Sequence, residues 1–137
     1  MEDEGGSDMV DLEEFQIDER LKRMLRENWG ISRLFPPQAR ALPNSLDGRN
    51  LMLAIPTASG KSLVAHITMA HRLSNDLKGM RGVYIVPLKA LASEKFSELS
   101  EICNSVDLKV GLSIGDRGSE NNFVEDSDIL VLSLIHI

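Results

Sequence analysis

Apolar positions change their period several times along the chain, and each change predicts an element. In "IDERLKRMLRENWG", Ile17, Leu21, Met24 and Leu25 recur at helical spacing and Gly30 closes the run, the pattern of an amphipathic helix. "PPQARAL" at 36–42 starts a second helix, because a first turn tolerates proline. Pro43 should then end or kink it, since proline lacks the amide hydrogen and crowds the preceding turn. "NLMLAI" at 50–55 reads as a short apolar strand, followed by a glycine-lysine turn and a helix through "SLVAHITMAHRL" at 62–73. "GVYIVP" at 82–87 lacks polar alternation, as in a parallel strand covered on both faces. "ALASEKFSELSEIC" at 90–103 is helical again, and "KVGLSI" (109–114) and "DILVL" (128–132) are strands. Strands alternating with helices predict βαβ units, hence the α/β class and a doubly wound parallel sheet.

Composition agrees with a folded chain: hydrophobic residues make up 42% and charged residues 26% of 137, enough to bury a modest core. No apolar run approaches the roughly 18–20 residues of a membrane span, and "MEDEGGSDMVDLEE" is the opposite of a signal peptide. The single cysteine, Cys103, excludes an internal disulfide and a multi-cysteine metal site, so a reducing cytoplasm is the simplest setting. The net charge of −6 is uneven: residues 1–20 hold nine acids and one base, leaving twelve acids and fourteen bases for 21–137. The bulk is therefore mildly basic, compatible with phosphate contacts without arguing for them. Residues 1–16 are expected to be an acidic, unordered lead-in.

The chemistry starts at "AIPTASGKS", residues 54–62. A loop leaving a buried strand and entering a helix gathers backbone N–H groups and a helix N-terminus around one point, which favours an anion. Lys61 would add charge for the outer phosphates and the Ser62 hydroxyl would ligate Mg²⁺. The strict form of such a loop has a glycine where this chain has Ile55. "SGKS" alone therefore also fits a strand-to-helix turn with an accidental lysine.

"PTASGKS" resembles motif I of superfamily 2 helicases. Gln38 in "LFPPQARAL", twenty-three residues before Lys61, is similar to the Q motif, and "VPLKALASEK", with Lys89 twenty-eight residues after Lys61, to motif Ia. "SIGD" at 113–116 resembles the next Gly-Asp element. Within that superfamily the chain is most similar to the Ski-type branch and its archaeal Hjm family of fork-repair DNA helicases. The resemblance covers residues 17–131 and implies the N-terminal part of a first RecA-like domain of the P-loop NTPase class. It implies ATP and Mg²⁺ as cofactors and a 3′-to-5′ motor on single-stranded or forked DNA. Gln38 would read adenine; Thr57, Ala58, Ser59, Gly60, Lys61 and Ser62 would hold the phosphates and Mg²⁺. Pro87, Leu88, Lys89, Ala90, Gly115 and Asp116 would lie along the strand. For Phe35, core packing is favoured over adenine contact. An RNA helicase of the same superfamily, or a non-hydrolysing ATP-binding module, are the alternatives, because these motifs touch backbone and cannot tell ribose from deoxyribose.

The chain also departs from that pattern. Ala58 for glycine is common in the branch and Ser62 keeps the hydroxyl of threonine. His66 stands where glutamate is usual and reads as structural, and His71 as a surface or packing residue. No DExH box occurs in the 137 residues, so the fragment alone is expected to hydrolyse little ATP. "LSLIHI", Leu132 to Ile137, matches one translation of a transposon end used in sequencing libraries. Residues 132–137 are accordingly expected to be non-native, the alternative being a genuine β-prone strand end.

Overall fold

The computed structural model describes residues 8–47, 61–113 and 126–135. They fall in two compact units, Met1–His71 and Arg72–Ile137. The strand expected at 50–55 lies outside the described residues.

In the first unit, strand β1 (Val10–Asp11) runs into a 3-10 turn (Leu12–Glu14), helix α1 (Glu19–Trp29), strand β2 (Arg33–Leu34) and helix α2 (Pro36–Leu46). β1 and β2 pair antiparallel, Val10 opposite Leu34 and Asp11 opposite Arg33. The helix expected from Ile17 onward forms as α1 with the expected stripe inside: Ile17, Leu21, Met24 and Leu25 are buried. The Asp18 carboxylate caps α1 by accepting the Arg20 N–H at 3.0 Å, satisfying one of the orphan donors of the first turn. At the other end Gly30 takes φ +67° and its N–H reaches the Leu25 carbonyl, a left-handed turn that costs glycine little.

Two expectations need correction in this unit, one of them only in part. The acidic lead-in predicted to be unordered through residue 16 holds regular structure from Val10. Leu12 and Phe15 are buried, so two apolar anchors set among the acids outweigh the charge of the segment. Of the two outcomes expected at Pro43, an end to the helix does not occur: α2 continues to Leu46 and closes with the Asp47 N–H on the Pro43 carbonyl at 3.0 Å. Proline removes its own amide bond, yet its carbonyl still accepts, and the helix runs on without a break to Leu46.

Helix α3 (Lys61–Ser74) spans the boundary between the units. The second unit is a three-stranded parallel sheet of β3 (Gly82–Leu88), β4 (Val110–Ser113) and β5 (Ile129–Ile135), in the order β3-β5-β4. Helix α4 (Lys89–Asn104) joins β3 to β4 and packs on all three strands, burying Ala92, Leu99, Ile102 and Cys103. This is the expected α/β crossover unit. β5 extends beyond Val131 through Ile135, with Leu132 level with Ile85.

One strand departs from its sequence pattern. β3 was expected to be covered on both faces, but Val83 is 54% and Ile85 57% exposed, whereas Val86 is buried. Continuous hydrophobicity thus marks a strand with one bare face here. The opposite end of the sheet is tied by polar groups. The Gly82 N–H donates to the Asp128 carbonyl at 2.9 Å, and the Asp128 N–H to the Lys109 carbonyl at 2.7 Å. The Asp128 carboxylate accepts the Lys109 N–H at 2.8 Å.

Candidate functional site

The start of α2 shows why the sequence "FPPQ" folds as it does. An α-helix begins with four backbone N–H groups that have no partner inside it. Pro36 and Pro37 occupy its first two positions and bring none. The N–H of Phe35, the cap residue, donates to the Gln38 side-chain carbonyl at 2.9 Å. Phenylalanine cannot return the bond, so this is one arm of a capping box. Regular bonding then starts with the Ala39 N–H on the Phe35 carbonyl at 2.9 Å. Gln38 is only 3% exposed, so its side chain is held in place rather than solvated. Phe35 was expected to pack in the core and instead is 49% exposed; Leu34 beside it is the residue that turns inward.

Lys61 and Ser62 are the first two residues of α3, with Ser62 half-buried. Their position at the N-terminus of a fourteen-residue helix suits an anion, through both the macrodipole and the unbonded N–H groups. Thr57, Ala58, Ser59 and Gly60 lie outside the described residues. Helices α2 and α3 are joined by a hydrogen bond of 2.7 Å between the Ser45 and Thr68 hydroxyls. A turn further along, the Asp18 N–H donates to His71 Nδ1 at 3.0 Å, so His71 has a structural partner at the start of α1. His66 is 2% exposed, in keeping with a packing residue. The residue expected to read a base and the two expected to meet phosphate and metal thus lie in the same unit, on helices tied by the Ser45–Thr68 bond.

In the second unit, β3 passes directly into α4 at Leu88 and Lys89. Leu88 has no side chain able to cap the helix, and no side-chain cap bond is made. The first N–H groups of a sixteen-residue helix therefore point past the C-terminal edge of a parallel sheet, where ligands of such folds gather. Pro87, Leu88 and Ala90 are exposed and Lys89 half-buried. Ser113, the end of β4, pairs with Leu132, which pairs with Ile85. β4 therefore ends towards the same edge; Gly115 and Asp116 lie outside the described residues.

Cys103 takes no part in this chemistry: burial, then the nearby Asp128 carboxylate, push its thiol up to about 12. Among the described residues no group of three or more His, Cys, Asp or Glu converges as a metal site. Sequence reasoning passed over one cluster. The Lys22 ammonium, its side chain 5% exposed, lies 3.4 Å from both Glu13 and Glu19, and Arg26 pairs with the other oxygen of Glu13. The spacing of Lys22 and Arg26, one turn apart, was the available signal.

The DEAD/DEAH box helicase model matches residues 35–134. The chain belongs to the DEAD/DEAH box helicase family. It is 46% identical over 121 residues to the ATP-dependent DNA helicase Hel308 of Pyrococcus horikoshii, covering 88% of this chain and 16% of that protein. It is 47% identical to the Hel308 of Thermococcus kodakarensis, over 88% of this chain and 10% of the relative. The DUF1998 helicase MrfA, solved bound to DNA and AMPPNP, matches with a TM-score of 0.72 and 31% identity, over 85% of this chain and 17% of that one. This helicase chain thus spans about a sixth or less of the length of these relatives. No helix among its described residues is long and apolar enough to cross a membrane.

Proposed function

We propose that this chain is the nucleotide-binding opening of an ATP-dependent DNA helicase that acts on single-stranded or forked DNA in repair, within the cytoplasm. The observation that carries the reading is a buried glutamine at the start of α2, in the same unit as a helix that opens on Lys61 and Ser62 and is tied to α2 by the Ser45–Thr68 bond. Adenine offers a donor and an acceptor on one edge, which a glutamine amide can match. The Gln38 carbonyl already accepts the Phe35 N–H, and its second lone pair and the amide group complete the match. Lys61, the Ser62 hydroxyl and the backbone of Thr57 to Gly60 would hold the phosphates and Mg²⁺. Bound MgATP would supply the phosphoryl group whose transfer drives the motor.

Residues Pro87 to Ala90, with Gly115 and Asp116, would grip a strand by its phosphates, without reading sequence. The residues that position an attacking water are not among these 137, so binding without appreciable turnover is the expected property of this polypeptide. That its relatives are named ATP-dependent DNA helicases supports DNA over RNA. Titration of the chain with a fluorescent ATP analogue and Mg²⁺ tests the proposal. Saturable binding, displaced by ATP far better than by GTP and lost in Lys61→Ala, is expected. Binding indifferent to Lys61, or equal displacement by both nucleotides, would overturn it.

A further inference from the structure

We propose that the acidic segment Val10–Glu14 is a positioning strap for Gln38, with Glu13 as the residue that fastens it. The inference rests on the adenine-reading role proposed for Gln38.

The path from strap to glutamine is short. β1 pairs with β2 so that Val10 faces Leu34, and the Leu12 N–H donates to the Ser32 carbonyl at 2.9 Å. Leu34 is bonded directly to Phe35, whose N–H is held by the Gln38 side chain at 2.9 Å. Any displacement of β2 therefore reaches the Gln38 carbonyl through one residue and one hydrogen bond. Two residues of strand pairing are marginal by themselves. What fastens the strap is Glu13: one oxygen lies 3.4 Å from the Lys22 ammonium and the other is on the Arg26 guanidinium. Both cations sit on α1, which itself turns through Gly30 into β2. β2 is thus held by α1 on its N-terminal side and by the strap along its edge. Recognition of a base edge depends on hydrogen bonds that weaken steeply with misalignment. A strap that fixes β2 can therefore change affinity while adding little to overall stability.

Glu13 is well suited to a test because its side chain is 55% exposed, and Lys22 keeps Glu19 as a second partner. Its removal leaves no buried charge without a counterion. The experiment is displacement of a fluorescent ATP analogue from the full 137-residue chain by ATP and by GTP, for wild type, Glu13→Ala, Arg26→Ala, the double variant and Gln38→Ala. Glu13→Ala should weaken ATP by about two- to tenfold, the equivalent of one impaired hydrogen bond, and leave GTP unchanged. Arg26→Ala should do the same in kind, and the double variant should be less than additive. An unaltered ATP-to-GTP ratio in Glu13→Ala, or equal losses for both nucleotides, would overturn the strap. Gln38→Ala separates the two ideas. If it collapses the ratio while Glu13→Ala does not, the strap alone fails. If it leaves the ratio intact, or wild type binds neither nucleotide, the adenine reading fails and takes the strap with it.

Discussion

Replacing Cys103 by alanine should flatten the alkaline end of the stability profile, and the size of the effect follows from where the thiol sits. Cys103 is fully buried in α4, against the sheet. Burial first, and the Asp128 carboxylate second, raise its pKa from 9.0 to about 12. In the unfolded chain the thiol ionises near its ordinary value, so above pH 9 the unfolded state releases a proton that the folded state retains. The contribution is fully present below about pH 9, falls by about 1.4 kcal/mol per pH unit above it, and is exhausted near pH 12. Between pH 8 and 11 the loss amounts to about 3 kcal/mol, a large share of the ~5–15 kcal/mol that holds a domain together. Urea unfolding at pH 8, 9, 10 and 11, for wild type and Cys103→Ala, isolates the thiol, because it is the one group that differs between them. The alanine variant should start less stable, having lost the sulfur, and the two curves should converge as pH rises. Curves that stay parallel would show that the thiol is not sealed from water, and would refute the packing of α4 on the sheet described above. Asp128→Asn should move the wild-type curve only slightly, since its charge is the lesser cause.

Two further substitutions probe the two units separately. Pro43→Ala should raise the unfolding midpoint, because Pro43 is exposed, has no packing to lose, and costs an interior helix turn up to about 3 kcal/mol; a gain of about 1–2 kcal/mol is expected by chemical denaturation, and no gain would mean the helix relaxes around the proline without strain. Arg81→Met should cost about 1–2 kcal/mol, because the guanidinium donates at 3.0 Å to both the carbonyl and the hydroxyl of buried Ser127; unchanged amide exchange at Gly82 and Asp128 would contradict that tie.

The parts legible in the sequence were those in which one local signal had no competitor. Ile17, Leu21, Met24 and Leu25 share a helical face whatever lies around them, and all are buried. Alternation of strands and helices after residue 61 fixed the parallel sheet for the same reason. The misses share a physical cause: each was decided by a partner distant in sequence or by a balance of two terms. In the lead-in, charge repulsion argued for disorder, while Leu12, Phe15 and the pairing of Glu13 with Lys22 and Arg26 argued against it. Only the folded chain shows the second side winning. Apolar composition could not reveal that Val83 and Ile85 lie bare, because coverage depends on what packs there and not on the strand.

Gln38 shows why a site is harder to read than a fold. The two prolines before it announce a helix start, and the resemblance of "LFPPQARAL" to the Q motif implies that it would read a base. Neither says that its carbonyl also closes the helix on Phe35. The bond to Phe35 and its burial hold this side chain, 3% exposed, in one orientation, and under the proposed function the same side chain would also read the base. Under that proposal, Gln38→Ala would alter the helix start and the nucleotide preference together. The proposed strap would let the two be separated one step away, at Glu13, whose side chain is 55% exposed and whose partner Lys22 keeps Glu19.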